Sequence, residues 1–518
     1  MSTVYDFDNP LYLDKGDMRE ELDRVFDLCH GCRLCWNLCP SFESLFDLID
    51  KKTDGIEPKL SPADQDRVVD ECYQCKLCYI KCPYTPPHEW ELDFPRLMLR
   101  GLAARTNGKA KSVGHKLLAA TDATGRLATA TSFLANPTLQ PNGPVRKVME
   151  KVTGISASRL LPSYAKQRFT VWWKKSGRFE PTTPFQEKVE AENAEGTGRP
   201  SFLDVTPEEE AAMPSIAADA PVTTAVPSFL APSPEELQAL AHVSDGKDEG
   251  ESDGKSVPEP SLAPEVSDPT PLTGRSVAIF ATCVIEYQTP DVGKSLVRVL
   301  RHNGCDVECA TSARCCGMPS LDGGDVQGFL TRARHNVEAL YPAVKAGRKI
   351  IVSQPTCGYL LKREYPEALK TPEAKEVAAA VTAPEDYLHA LRRNGGIRED
   401  FARSLGKVAY HAPCHLRAQE KGYKGRDLLR LVKGTSVSIV EDCAGIDGTW
   451  GYRAENVEMA KKIIAPTAEK MRVVEANVLV GECHLANVAL TEEGLSHPMH
   501  PMQALALAYG LEEDEDHD

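Results

Sequence analysis

Two copies of one spacing, Cys-x2-Cys-x2-Cys-x3-Cys-Pro, constrain this chain more than anything else in it. The first runs Cys29-His-Gly-Cys32-Arg-Leu-Cys35-Trp-Asn-Leu-Cys39-Pro40, and the second Cys72-Tyr-Gln-Cys75-Lys-Leu-Cys78-Tyr-Ile-Lys-Cys82-Pro83. Spacings this short let three sulfurs and several backbone N–H groups wrap one cofactor, and a cubane iron–sulfur cluster takes four thiolates. In double motifs of this kind the fourth cysteine, ahead of proline, serves the other cluster. The expected ligand sets are therefore Cys29, Cys32, Cys35 and Cys82 for one [4Fe-4S] cluster, and Cys39, Cys72, Cys75 and Cys78 for the other. Sharing ligands this way holds two clusters close together, as a one-electron relay requires. Zinc, the competing metal, prefers two separated pairs of ligands.

The chain has 17 cysteines in tight groups separated by long cysteine-free regions. That is the distribution of metal sites rather than of disulfide staples, and it fits a reducing, cytoplasmic compartment. Met1 to Arg19 is polar and acidic, without the basic and apolar regions of a secretory signal. No run of eighteen apolar residues is present to span a membrane. At 518 residues, two or three folded units are expected.

Charge divides the middle of the chain. Residues 96–178 carry 16 Lys and Arg against only Asp122 and Glu150, whereas 186–270 carry 19 Asp and Glu against 4 Lys and Arg. The first stretch alternates helical patterns with loops and reads as a basic helical extension, 96–180. The second is rich in Pro, Ala and Ser, with Phe202 and Phe229 as its aromatics. It cannot bury enough apolar surface to offset ordering entropy, so 181–272 reads as an acidic disordered linker, with a transiently helical piece at Ser233–His242. Trp172, Trp173, Lys174 and Lys175 read either as an interfacial anchor on an anionic membrane or as core aromatics beside surface lysines. No recognised nucleic-acid module accompanies the basic charge, so nucleic acid is not an expected partner.

Beyond residue 272 the pattern changes to strand, cysteine, helix. Ser276–Ala281 leads to Cys283, Lys349–Val352 to Cys357, Val408–Tyr410 to His411 and Cys414, and Val478–Val480 to Cys483. This implies a duplicated parallel α/β unit, about 275–395 and 405–510, with cofactors expected outside the carboxyl ends of the strands. The first repeat offers Cys283, Cys315, Cys316 and Cys357; the second offers Cys414, Cys443 and Cys483. Each set reads as metal ligands or as buried free thiols. Cys305 and Cys309 match no ligand pattern, and His497 and His500 read as loop residues. No G-x-G-x-x-G follows a strand, which argues against a bound dinucleotide.

Cys315-Cys316-Gly317, Cys443-Ala444-Gly445 and the later Cys357 and Cys483 resemble the cysteine-rich CCG domain, and the helical connection between the N-terminal motifs resembles helical ferredoxin modules. The combination is similar to the CCG-domain oxidoreductase family of heterodisulfide reductase and the iron–sulfur component of anaerobic glycerol-3-phosphate dehydrogenase. HAPCHLRAQ (411–419), DGTWGYRAEN (447–456) and HPMQALALAYG (500–510) fit that group, whereas the acidic linker does not. Gln354 stands where the full pattern has a cysteine in the first repeat, as do Ala444 and Ala486 in the second. Three thiolates there leave a fourth position for His411, His415, His484 or an outside group.

The resemblance implies an α+β multidomain protein: a helical two-cluster ferredoxin domain over 1–95, the extension, the linker, a duplicated α/β CCG domain over 273–510 and an acidic tail, 511–518. It implies two [4Fe-4S] clusters, with an additional iron–sulfur cluster or other metal in the CCG domain. The implied role is that of an electron-transfer subunit, relaying from a flavin-containing dehydrogenase partner to a quinone or other acceptor, peripheral on the inner face of the cell membrane. The alternatives are a disulfide-reductase-type catalyst and an electron donor to a peroxide-reducing di-iron protein.

Overall fold

The computed structural model describes residues 5–52, 60–176, 275–393, 396–446 and 448–511. The acidic linker with Ser233–His242, and the tail beyond Leu511, lie outside the described residues.

The N-terminal part is helical, as its sequence predicts. Helix α1 (Lys15–Cys32) starts at Asp14, whose carboxylate accepts from Asp17 N, and stops at Arg33 in the left-handed region, φ 54°. Helix α2 (Pro40–Lys52) follows the first motif and α3 (Pro62–Glu71) precedes the second, opened by a Ser61/Asp64 capping box. The short α4 (Leu77–Lys81) lies within the second motif, and α5 (Phe94–Thr106) closes the layer. The apolar faces of α1, α2 and α5 meet around Phe26, Phe42, Phe46 and Phe94, with Phe42 stacked on Phe94 at 4.3 Å. Fully burying side chains of this size contributes about 1.5–3 kcal/mol each.

Four further helices, α6 (Val113–Ala119), α7 (Thr121–Ala130), α8 (Ser132–Thr138) and α9 (Pro144–Thr153), form the extension, and α10 (Phe169–Ser176) ends it. The extension runs across both C-terminal repeats. Arg332 of the first donates to Ala119 O at 2.8 Å, Ser156 N donates to Tyr452 O of the second at 2.8 Å, and Arg453 Nη1 reaches His115 Nδ1 at 2.8 Å. On α10, Trp172 and Trp173 are half-buried against the shared core of the repeats, with Lys294 and Arg301 over their rings. Of the two readings of this pair, the structure favours core aromatics over an exposed anchor.

Each repeat builds its own parallel sheet. The first has the order β2-β1-β3-β4 (Asp306–Cys309, Ser276–Ile279, Lys349–Ile351, Val381–Thr382), and the second β6-β5-β7 (Ser436–Val440, Lys407–His411, Val478–Gly481). Val277 pairs with Val307 and Lys349, and Val408 with Val437 and Val478, so the central strand of each repeat is buried on both sides. One core joins the repeats through Val277 and Ile279 with Val408, Tyr410 and Val480, covered by the helices Pro290–His302 and Pro501–Tyr509. Cys305 is buried in that core beside the Tyr387 hydroxyl, and His500 caps the Pro501–Tyr509 helix. Both therefore have structural partners.

Helices α6 and α9 cross in direct contact at Gly114, where an added Cβ would stand 1.8 Å from the Thr153 carbonyl oxygen. Backbone cannot give way as a flexible side chain does. Gly114→Ala is expected to destabilise the extension by about 1–3 kcal/mol, read as faster proteolysis within 113–153 of the cluster-loaded chain. An unchanged digestion rate would mean that the crossing is not tight.

Candidate iron–sulfur and cysteine sites

The N-terminal helices frame two adjoining cavities. One is lined by Cys29, Cys32, Cys35 and Cys82, walled by Leu28, Phe46 and Leu92; the other by Cys39, Cys72, Cys75 and Cys78, walled by Leu38, Tyr73 and Phe94. Phe42 lines both. Cys39 immediately precedes α2 and Cys82 caps the end of α4, and each lines the cavity of the other motif. Cys35 of one set also lies in electrostatic range of Cys78 of the other.

Burial pushes the thiols of Cys29, Cys39 and Cys78 well above the usual range, and neighbouring thiols push them further. Cys35 is pushed up to about 12 by the same causes. Such thiols stay protonated on their own, so they become thiolates only against a positive centre, releasing protons as it binds. Lys76, between two cysteines of the second motif, is 3% exposed, lines the second cavity and donates to Gln74 Oε1 at 2.7 Å. Arg33, Gln74 and Lys76 have φ of 54°, 53° and 65°, left-handed conformations that non-glycine residues hold only under outside constraint. All three lie in the cysteine motifs. Among the described residues no group of three or more His, Cys, Asp or Glu is arranged to hold a single metal ion. Four thiols around a cavity instead fit a multi-iron cluster.

In the first repeat, strand ends bring Cys283, Cys315, Cys316 and Cys357 together. The Cys283 and Cys316 thiols donate toward Cys315, holding it well below the usual thiol range while both donors are pushed well above it. Cys316 also contacts Cys357. Tyr365 donates to Cys316 O at 2.8 Å and Asn336 to Cys315 O at 3.2 Å. The extension also reaches this site: Cys315 N donates to both Asp122 oxygens, at 3.2 and 3.3 Å. Sequence reasoning missed Asp122; the one available signal was a lone aspartate in a strongly basic stretch.

The second repeat spreads its three cysteines along a seam. Cys414 and Cys443 pack against the ferredoxin core, whereas Cys483 belongs to the cluster beneath the second sheet. Tyr73, inside the second N-terminal motif, is in hydrogen-bond contact with Cys443 and lies 5.2 Å from Trp450, whose indole donates to Asp70 O at 3.0 Å. Cys483 Sγ accepts from Gln354 Nε2 at 3.3 Å, so the glutamine in place of a cysteine bonds to the other repeat. His411 Nδ1 and His484 Nε2 are buried without hydrogen-bond partners. Burial lowers these imidazoles to about 4 and about 3, leaving them neutral and able to ligate.

Comparison with known proteins supplies the frame. Residues 22–109 match the Citrate utilization protein B Fer4-like domain, and residues 277–362 and 408–489 match the CCG cysteine-rich domain. The chain joins a Fer4-like domain to a pair of CCG domains. Its cofactors are iron–sulfur clusters. Among curated proteins it is similar to one of the subunits of anaerobic glycerol-3-phosphate dehydrogenase from Escherichia coli K12, 28% identical over 240 residues, 45% of this chain and 59% of that one. It is 29% identical over 212 residues to lactate utilization protein A of Oceanobacillus iheyensis, covering 40% of this chain and 84% of that one. It is 26% identical over 249 residues to one of the subunits of fumarate reductase (CoM/CoB) from Methanothermobacter marburgensis, covering 46% and 47%. The match to the Escherichia coli protein thus spans about three fifths of its length.

Metal and sulfide analysis of anaerobically purified chain separates the sites. About eight iron atoms correspond to the N-terminal cavities alone, and about twelve to an added cluster in the CCG pair. In the second case Cys316→Ser should remove only the extra iron; unchanged iron would exclude Cys316 as a ligand.

Proposed function

We propose that the chain relays electrons from a flavin-containing dehydrogenase partner, through its Fer4-like domain, to the CCG pair and on to a quinone or other acceptor. Clusters held by Cys29, Cys32, Cys35 and Cys82 and by Cys39, Cys72, Cys75 and Cys78 would supply one-electron carriers; the CCG cysteines would hold a third centre or other metal. The contact of Tyr73 with Cys443 carries this reading, because it joins the second N-terminal motif directly to the second repeat. Exposure gives the direction. Cys32 is exposed, and Leu34, Trp36 and Trp90 stand out around its cavity, whereas Cys39, Cys75 and Cys78 are buried towards the repeats. The Cys32 cavity is therefore the input side, where a partner docks on apolar and aromatic surface, and the other cavity is the output side. Among the described residues no helix is long and apolar enough to cross a membrane, so membrane association would be peripheral, on the cytoplasmic face.

A second reading, reduction of a disulfide substrate within the CCG pair, draws on the three-cysteine set and the unpartnered His411 and His484 nitrogens, which leave room for an outside ligand. Mixing reduced chain with a small disulfide and following the EPR spectrum tests it: an unchanged spectrum removes it.

For the relay, the reduced, cluster-loaded chain is mixed with a soluble quinone analogue and the return of cluster absorbance is timed. Tyr73→Phe, which keeps the ring in the cavity wall and removes the hydroxyl facing Cys443, should slow reoxidation by about tenfold, or roughly 1.4 kcal/mol of barrier, with iron content unchanged. Equal rates would refute output through the second repeat.

A further inference from the structure

The extension turns its apolar side outward. Of fifteen large apolar side chains that stand exposed among the described residues, eight fall between Val113 and Val152. On α9 the valines at 145, 148 and 152 form an outward stripe, Val152 being 67% exposed, while Arg146 and Thr153 of the same helix are buried. A surface helix ordinarily buries such a stripe. Here the inversion is fixed by Arg146, whose guanidinium reaches the carbonyls of Leu139, Ser156 and Arg159. Val113 and Leu117 are exposed on α6, which crosses α9 at Gly114. Leu127 on α7 and Phe133 and Leu134 on α8 add to the surface, Phe133 at 75% exposure.

The charge around these side chains has one sign. Lys116, Arg126, Lys147 and Lys151 are exposed. The only acids between residues 96 and 178 are turned inward: Asp122 accepts from Cys315 N, and Glu150 from Ala157 N. Aliphatic and Phe side chains rimmed by lysine, with no free carboxylate among them, match the headgroup boundary of a bilayer. Protein interfaces instead deplete lysine and favour Tyr, Trp, Met and Arg.

We infer that the outward face of α6–α9 is the surface by which this chain lies on an anionic lipid bilayer. The Trp172–Lys175 segment is then a strut against the core and not the contact. The inference rests on the peripheral membrane association proposed above and names its surface, but it does not require the relay: a chain that binds vesicles but leaves quinone oxidised keeps the surface and loses that acceptor.

The test uses the cluster-loaded full chain sedimented with vesicles of phosphatidylcholine alone or mixed with phosphatidylglycerol. Binding should be about tenfold stronger to the anionic vesicles and weaken at high salt. Joint Phe133→Ser, Val148→Ser and Val152→Ser should lower it by about tenfold, and Lys147→Gln with Lys151→Gln should reduce the preference for phosphatidylglycerol. Unchanged iron content and visible spectrum confirm that the variants fold. Failure of the native chain to bind anionic vesicles overturns the inference, as does equal binding by the serine variant. It also fails if the serine variant keeps vesicle binding but loses a co-purifying flavoprotein, which would assign the face to a protein partner.

Discussion

Thiolate charge inside an apolar core is the constraint on which the N-terminal half depends. Cys39, Cys75 and Cys78 are buried among Phe42, Phe94 and Leu97, and the surroundings of Cys39 and Cys78 hold their thiols protonated. Four such groups can be ionised together only around a centre that neutralises them, so folding and cofactor binding are one equilibrium here. The left-handed residues at 33, 74 and 76 fit the same picture, since their conformations are costly without a centre for the backbone to wrap.

The CCG pair meets the same difficulty differently. In the first repeat the thiols hydrogen-bond to one another and the surrounding groups are supplied from afar: Asp122 lies 193 residues before the amide it accepts from. The extension is therefore part of that site as well as a connection between domains. The second repeat has fewer thiols and more imidazoles, and its cysteines lie where the ferredoxin core and both sheets meet.

Spacing made much of this legible. The cysteine motifs place sulfurs within a few residues of each other, and the strand–cysteine–helix pattern is equally local, so the helical N-terminus and the parallel sheets could be read directly. Contacts between segments could not. Nothing near Tyr73 points to Cys443, nothing near Gln354 points to Cys483, and a hydrophobic periodicity reports that a helix has an apolar side without reporting which way it faces. The valines of α9 look like a core stripe in sequence; Arg146 decides otherwise. Trp172 and Trp173, which the sequence left open between anchor and core, pack half-buried beside Phe169 against the shared core of the repeats.

Gln354 and Cys483 occupy equivalent positions of the two repeats and meet each other at 3.3 Å. Two cysteines in these places would give the seam between the repeats a chemistry of its own, able to close or open a covalent link as the surrounding potential changed. An amide has no such chemistry. Glutamine on one side leaves a plain hydrogen bond between the two halves.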